Sequence, residues 1–132
     1  MGVLAKILIV EDNALNIKLF CDLLAAHGHE PQAVTDSRQA LDAARDFVPD
    51  LVITDIQLPH VSGLELIKLI REDDALKAVP IMAVTAYASL GDEERIRGAG
   101  AEAYVTKPIS VARFVAEVDA LLERKQPVGA DA

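Results

Sequence analysis

Residues 51–63 read LVITDIQLPHVSG. Leu51 to Thr54 are residue types of a buried strand, and they run straight into a carboxylate, Asp55, followed by a turn marked by Pro59 and Gly63. An apolar run placed directly ahead of one ionisable group delivers that group to the exposed end of a strand. The run is short and does not alternate with polar residues, so we expect a strand covered on both faces, as in a parallel sheet sandwiched by helices.

Working outward, similar runs recur as KILIV at 6–10, a weaker EPQAV at 30–34, PIMAV at 80–84 and EAYV at 102–105. Between them lie segments with helical spacing. Residues 14–27 place Leu15, Leu19, Leu23 and Leu24 on one stripe, 64–72 place Leu64, Ile67 and Ile70, and 111–124 place Val111, Phe114, Val115, Val118 and Leu122. The segments at 37–47 and 89–98 are weaker helices, the second rich in charge and Gly. Gly28 reads as a helix stop and Ser110 as a cap before the last helix. Strand and helix thus alternate five times, which predicts an α/β fold: a doubly wound five-stranded parallel sheet in three α/β/α layers, with the flavodoxin-like order 2-1-3-4-5. A barrel would need eight such units.

The 132 residues, 52% of them hydrophobic, suit one domain with a single core. We expect it to span 5–124, with KQPVGADA at 125–132 a disordered tail. A net charge of -8 disfavours nucleic acid and anionic membranes. Cys21 is the only cysteine, so no internal disulfide forms, and its apolar helical setting favours a small buried hydrophobe over a nucleophile. MGVLAK lacks a signal-peptide core, and Lys6 stands where myristoylation favours Ser or Thr. We therefore expect a cytoplasmic protein.

Sheets of this class bind ligands beyond the carboxyl ends of their strands. There the chain carries Glu11 and Asp12, then Asp55, Thr85 and Lys107. In the order 2-1-3-4-5 the three acids meet at one rim. At about 5 Å and an effective dielectric of about 20, each ionised pair repels by roughly 3 kcal/mol, so either some protonate or a cation enters. Hard oxygen ligands in a partly open site suit Mg²⁺. A divalent ion, a lysine and a hydroxyl around one carboxylate form a constellation for phosphoryl transfer, with Asp55 as nucleophile and Thr85 reaching a phosphoryl oxygen.

Each feature also has a plainer reading. Glu11 and Asp12 could offset a helix dipole, and Asp12 or Asn13 could be a cap. Asp55 could form a turn, Thr85 could be an ordinary strand-end residue, and Lys107 could be surface charge. His27, His29 and His60 share no metal-ligand spacing and read as surface residues, and DEERIR at 92–97 as a solvated helix face.

At these residues the chain resembles the receiver domains of bacterial response regulators, the CheY-like domains. The match is ordered from residue 5 to 124: VEDN with Glu11 and Asp12, ITDIQLPHVSG with Asp55, VTAYA with Thr85, and YVTKP with Tyr104, Lys107 and Pro108. Within the family, EDNALNIKLF, GDEERIRGAGAEAYVTKPIS and the lack of an output domain look most like a cell-division regulator. The resemblance implies a single-domain response regulator of a two-component phosphorelay that accepts a phosphoryl group from a phosphohistidine on Asp55. It implies Mg²⁺ held by Asp12, Asp55 and the main-chain carbonyl of Gln57, and through water by Glu11. It further implies that Lys107 contacts the phosphoryl group, that the Lys107–Pro108 bond is cis, and that Thr85 and Tyr104 move together. Gln57 and Tyr87 would line the water approach. The implied partners are a histidine kinase or histidine phosphotransfer protein, meeting a ridge of Asn16, Ile17 and Phe20 on the first helix. Downstream proteins would bind the face of helix 4, strand 5 and helix 5. Glu11 departs from the Asp common in the family; its longer arm suits a role through water.

Two enzyme-like or carrier readings compete. Dehalogenase-like phosphatases place a second acid two residues after the nucleophile, where this chain has Gln57, so slow loss of its own phosphate is expected instead of turnover. Flavodoxin-like carriers cradle phosphate after the first strand, where Glu11 and Asp12 would repel it. A receiver that binds partners unphosphorylated is a further alternative, against which Asp55, Thr85 and Lys107 argue.

Overall fold

The computed structural model describes residues 5–86 and 89–125, the last two of them by main chain alone. Tyr87 and the segment 126–132, which holds most of the expected tail, lie outside the described residues. Five strands alternate with five helices: β1 (Lys6–Val10), α1 (Ala14–Ala26), β2 (Glu30–Val34), α2 (Ala40–Phe47) after a single 3-10 turn, β3 (Leu51–Asp55), α3 (Gly63–Glu72), β4 (Ile81–Thr85), α4 (Leu90–Ala99), β5 (Ala103–Thr106) and α5 (Val111–Lys125). The strands pair in parallel in the order β2-β1-β3-β4-β5, as expected.

Alternation along the strands divides the core. Ile7, Ile9, Leu51, Ile53, Met82 and Val84 face Phe20 and Leu24 of α1 and Phe114, Val118 and Leu121 of α5. Leu8, Val10, Val52, Ile81 and Ala83 face α2, α3 and α4 through Ala44, Phe47, Leu66, Ile67, Ile70 and Ile96. Both sheet faces are covered, so β1, β3 and β4 carry continuous apolar runs through their centres; each large side chain so buried contributes roughly 2 kcal/mol. β2 is the exception. It lies at the sheet edge, with Glu30, Gln32 and Ala33 exposed, and it carries Pro31, which an edge strand tolerates.

Local chemistry sets the helix ends. The Asn13 side chain accepts the Asn16 N–H at the start of α1, so the cap is Asn13 and Asp12 is not needed for that role. Gly28, at φ 86°, closes α1: its N–H reaches Ala25 O and the His29 N–H reaches Leu24 O. Ser62 and Glu65 form a reciprocal capping box at α3. Ser110 Oγ accepts the Arg113 N–H at the start of α5.

Three sequence expectations need correction. The stripe of α1 is rotated: Leu15 and Leu19 are exposed, while Phe20 and Leu24 are buried. Phe20 is therefore no surface ridge residue; its ring stacks on Phe114 with centroids 5.1 Å apart. His29, expected at the surface, is buried under the α1–β2 turn. On α5, Val111 is exposed and Leu121 takes the inner position.

Candidate functional site

The chain runs from β1 to β2 on one side and then from β3 to β5 on the other, so the loops after β1 and β3 diverge and leave a crevice at the carboxyl ends. Register brings the functional residues there. Val10 pairs with Thr54 and Asp55 with Val84, which places Glu11 and Asp12 just beyond β1, Asp55 at the tip of β3 and Thr85 at the tip of β4. The Lys107 N–H donates to Thr85 O, extending the ladder one step and aiming the lysine back across the rim.

Glu11, Asp12 and Asp55 each offer a carboxylate oxygen, and these lie within 4.8 Å of one another. Lys107 Nζ is 2.7 Å from Asp55 Oδ2 and 3.4 Å from Glu11 Oε1. The other oxygen of Asp55 accepts the Gln57 N–H at 3.1 Å, and Glu11 Oε2 accepts the Asn13 N–H at 3.1 Å. Asp55 and Glu11 are buried while Asp12 is exposed, so the cluster opens to solvent on the Asp12 side.

The electrostatics are unbalanced. Ionised, the cluster sets three negative charges against one lysine. Burial pushes the Glu11 carboxyl above the ordinary carboxylate range; the Asn13 N–H opposes that rise, the charge on Asp55 adds to it, and Lys107 opposes it. Burial disfavours the Lys107 ammonium, yet the hydrogen bond and charge of Asp55, with Glu11 behind it, outweigh burial and raise the pKa. Glu11 Oε1 is buried and, apart from the 3.4 Å ion pair with Lys107, has no hydrogen-bond partner among the described residues. A buried, incompletely satisfied oxygen in a cluster of hard donors fits a small divalent cation.

The remaining residues arrange themselves around this centre. The exposed Gln57 extends its side chain across to β4: Nε2 donates to Thr85 Oγ1 at 3.1 Å, and Oε1 accepts the Ala86 N–H at 3.2 Å. The Lys107–Pro108 peptide is cis. Tyr104, half-buried on β5, donates its hydroxyl to Glu93 Oε1 at 3.1 Å, and Arg97 lies over its ring at 5.6 Å. The Tyr104 contact joins β5 to the DEERIR segment, whose Glu93 and Arg97 also pair at 2.9 Å. Asn16 and Ile17 are half-buried beside the site, and Asn16, Leu19, Phe20, Lys107, Pro108 and Ile109 line a cavity of about 410 Å³. His27 and His60 are exposed and belong to no metal-binding cluster of the described residues.

Two roles escaped the sequence reading. Glu93 as the partner of Tyr104 has no local signature, because the contact joins separate elements. The Ser62 and Glu65 box was legible as S-x-x-E ahead of an apolar run.

Residues 7–119 match the response regulator receiver domain family. The polar-differentiation response regulator DivK of Brucella anthropi is 53% identical over 117 residues, covering 89% of this chain and 95% of that protein. Among solved structures, the receiver domain of the sensor histidine kinase PA1611 from Pseudomonas aeruginosa, which holds a magnesium ion in its active site cleft, superposes with a TM-score of 0.84. It is 30% identical, covering 92% of this chain and 99% of that one. The chemotaxis response regulator CheY4 of Vibrio cholerae superposes with a TM-score of 0.85 at 25% identity, covering 90% of this chain and 99% of that one. With its family match, its strand order and its acidic rim, the chain belongs to the response regulator receiver domains.

Proposed function

We propose that the protein is a phosphoacceptor: Asp55 takes a phosphoryl group from the phosphohistidine of a histidine kinase or phosphotransfer protein, with Mg²⁺ as cofactor. The observation that carries this reading is Asp55 Oδ2 held at 2.7 Å by Lys107 while Asp12 and Glu11 converge on the same point. Asp12, Asp55 and the main-chain carbonyl of Gln57 would hold the metal directly, and Glu11 through water. Mg²⁺, when bound, screens charge on the transferring phosphoryl oxygens.

The chain's own residues do the rest. Lys107 orients the Asp55 carboxylate in the resting state and, on transfer, follows the new negative charge. The Thr85 hydroxyl donates to a phosphoryl oxygen, and its movement passes to Tyr104 and the α4–β5–α5 face. The phosphoryl group carries about -1.5 to -2 charge but takes the place of the carboxylate's own, so the rim gains at most about -1, carried further out on oxygens that reach the end of β4 and bias it toward a second arrangement. Partners bind the altered face, and the protein acts in signalling with slow loss of its own phosphate, governed at Gln57 and Tyr87.

The likeness to DivK supports a role in cell-division or cell-cycle control, and we place the domain at 5–124 in the cytoplasm. No helix among the described residues is long and apolar enough to cross a membrane. The kinase would dock on α1 with the corrected ridge, Leu15 and Leu19, around half-buried Asn16 and Ile17. Incubation with acetyl phosphate and Mg²⁺, followed by intact mass, tests the chemistry. One labile phosphate on the wild type and none on Asp55→Asn is expected; equal labelling of both would overturn the assignment.

A further inference from the structure

We propose that the side-chain amide of Gln57 is a latch: in the unmodified protein it occupies the hydrogen-bonding groups at the end of β4 and must release them before a phosphoryl group on Asp55 can use them. The proposal rests on the reading of Thr85 as a phosphoryl partner. Gln57 follows β3 and Ala86 follows β4, so the amide ties together the two loops that border the acceptor carboxylate.

The orientation of the amide is dictated by its partners. The Ala86 N–H can only donate, so the oxygen of the amide must face it, and the nitrogen is left to donate to Thr85 Oγ1. Thr85 Oγ1 therefore accepts from the amide nitrogen at 3.1 Å and has the amide oxygen at 3.5 Å as the acceptor for its own hydroxyl hydrogen, and the first peptide N–H beyond β4 is satisfied by the same uncharged oxygen. A phosphoryl oxygen bears far more negative charge than an amide carbonyl and is the better acceptor for an N–H donor. Exchange of one for the other is the local event that frees Thr85 and Ala86 from Gln57. The main-chain N–H of Gln57, which donates to Asp55 Oδ1, and its carbonyl are untouched by changes to the side chain.

The test uses the full chain and beryllofluoride with Mg²⁺, a phosphoryl analogue that is not hydrolysed, so any effect of Gln57 on water approach does not enter. Calorimetric titration of wild type, Gln57→Leu, Thr85→Ala and the double variant is the measurement, with Gln57→Met as a second latch-free variant should Leu fail to fold. Losing the latch removes a competing set of hydrogen bonds, so Gln57→Leu is expected to bind about three- to tenfold tighter. Thr85→Ala is expected to bind more weakly and to shrink the gain from Gln57→Leu. In the unmodified protein, amide exchange at Ala86 should be faster in Gln57→Leu. Wild-type or weaker affinity in Gln57→Leu, alongside weakened Thr85→Ala, would overturn the latch and keep the reading of Thr85. Undiminished binding by Thr85→Ala would overturn that reading, and the latch with it.

Discussion

A methyl group on Gly63 would stand 2.2 Å from the Asp55 carbonyl oxygen and 2.6 Å from Ile56 Cα, both main-chain atoms that cannot step aside. The first turn of α3 is thus pressed onto the strand end that presents Asp55, and the Gly63 N–H closes the loop on Ile56 O. Gly63→Ala should cost about 3 kcal/mol in urea unfolding, because overpacking here is relieved only by moving backbone. By contrast, a Cβ on Gly98 of α4 meets nothing within 4 Å, so Gly98→Ala should stabilise by roughly 1 kcal/mol through helix propensity. Equal stabilities of the two variants would show that the acceptor strand end is not held by this contact. Val48 gives a residue-level test of a different kind: it ends α2 at φ 52°, a left-handed conformation that a β-branched side chain resists, and its side chain is exposed. Val48→Asn should therefore stabilise by roughly 1 kcal/mol with no change at the acidic rim.

Between elements, Phe20 stacks on Phe114 and brings α1 against α5 within the core on that face of the sheet. Phe20→Ala should cost about 3 to 5 kcal/mol, whereas Leu15→Ala on the exposed side should change stability by less than about 0.5 kcal/mol. That contrast is also where the sequence reading went astray. Leu15, Leu19, Leu23 and Leu24 satisfy a helical stripe on paper, but α1 is apolar on more than one side, and periodicity cannot say which side meets the sheet. The strands were legible because β1, β3 and β4 carry unbroken apolar runs, a pattern that two-sided burial requires; β2 was weak because an edge strand has no such requirement. At the α4–β5 contact, Arg97 and then Tyr104 hydrogen-bond Glu93 and hold its carboxyl below the ordinary range, while the hydrogen bond to Glu93 raises the Tyr104 phenol. The signs define a window. The contribution of Glu93 is present above its unfolded pKa of about 4.3 and is lost as pH falls through the lower folded value; that of Tyr104 is present below about 10 and is lost as pH rises through the higher folded value. In a Tyr87→Phe background, Glu93→Gln should bring the Tyr104 phenolate absorbance titration down toward its ordinary midpoint, and an unchanged midpoint would dissociate the pair.

For the whole molecule, which carries a net charge of -8, the rim gathers three carboxylates against one lysine at a single point. Its acids and lysine were legible because each stands within two residues of the end of a strand run, and the topology of a doubly wound sheet makes such positions converge. What was not legible was the traffic between them: which of Asp12 and Asn13 caps α1 and which is left to the rim, that a buried Glu11 oxygen rests on the 3.4 Å ion pair with Lys107, and that Gln57 reaches Thr85. Each depends on side-chain direction in loops, which residue order does not encode. The balance of charge at the rim sets a further outcome. Lys107 is the cation that touches both Asp55 and Glu11, so Lys107→Met leaves two buried carboxylates without it, a loss of about 3 kcal/mol in metal-free buffer. A divalent ion bound only by the folded protein stabilises it by RT ln(1 + [L]/Kd), and in the variant it also relieves repulsion that the lysine no longer offsets. Thermal unfolding with and without Mg²⁺ should therefore show a larger upward shift in Tm for Lys107→Met than for the wild type, and little shift for Asp12→Ala. If Mg²⁺ raised all of these melting temperatures equally, the ion would be acting on the general surface charge and the rim would not be its site.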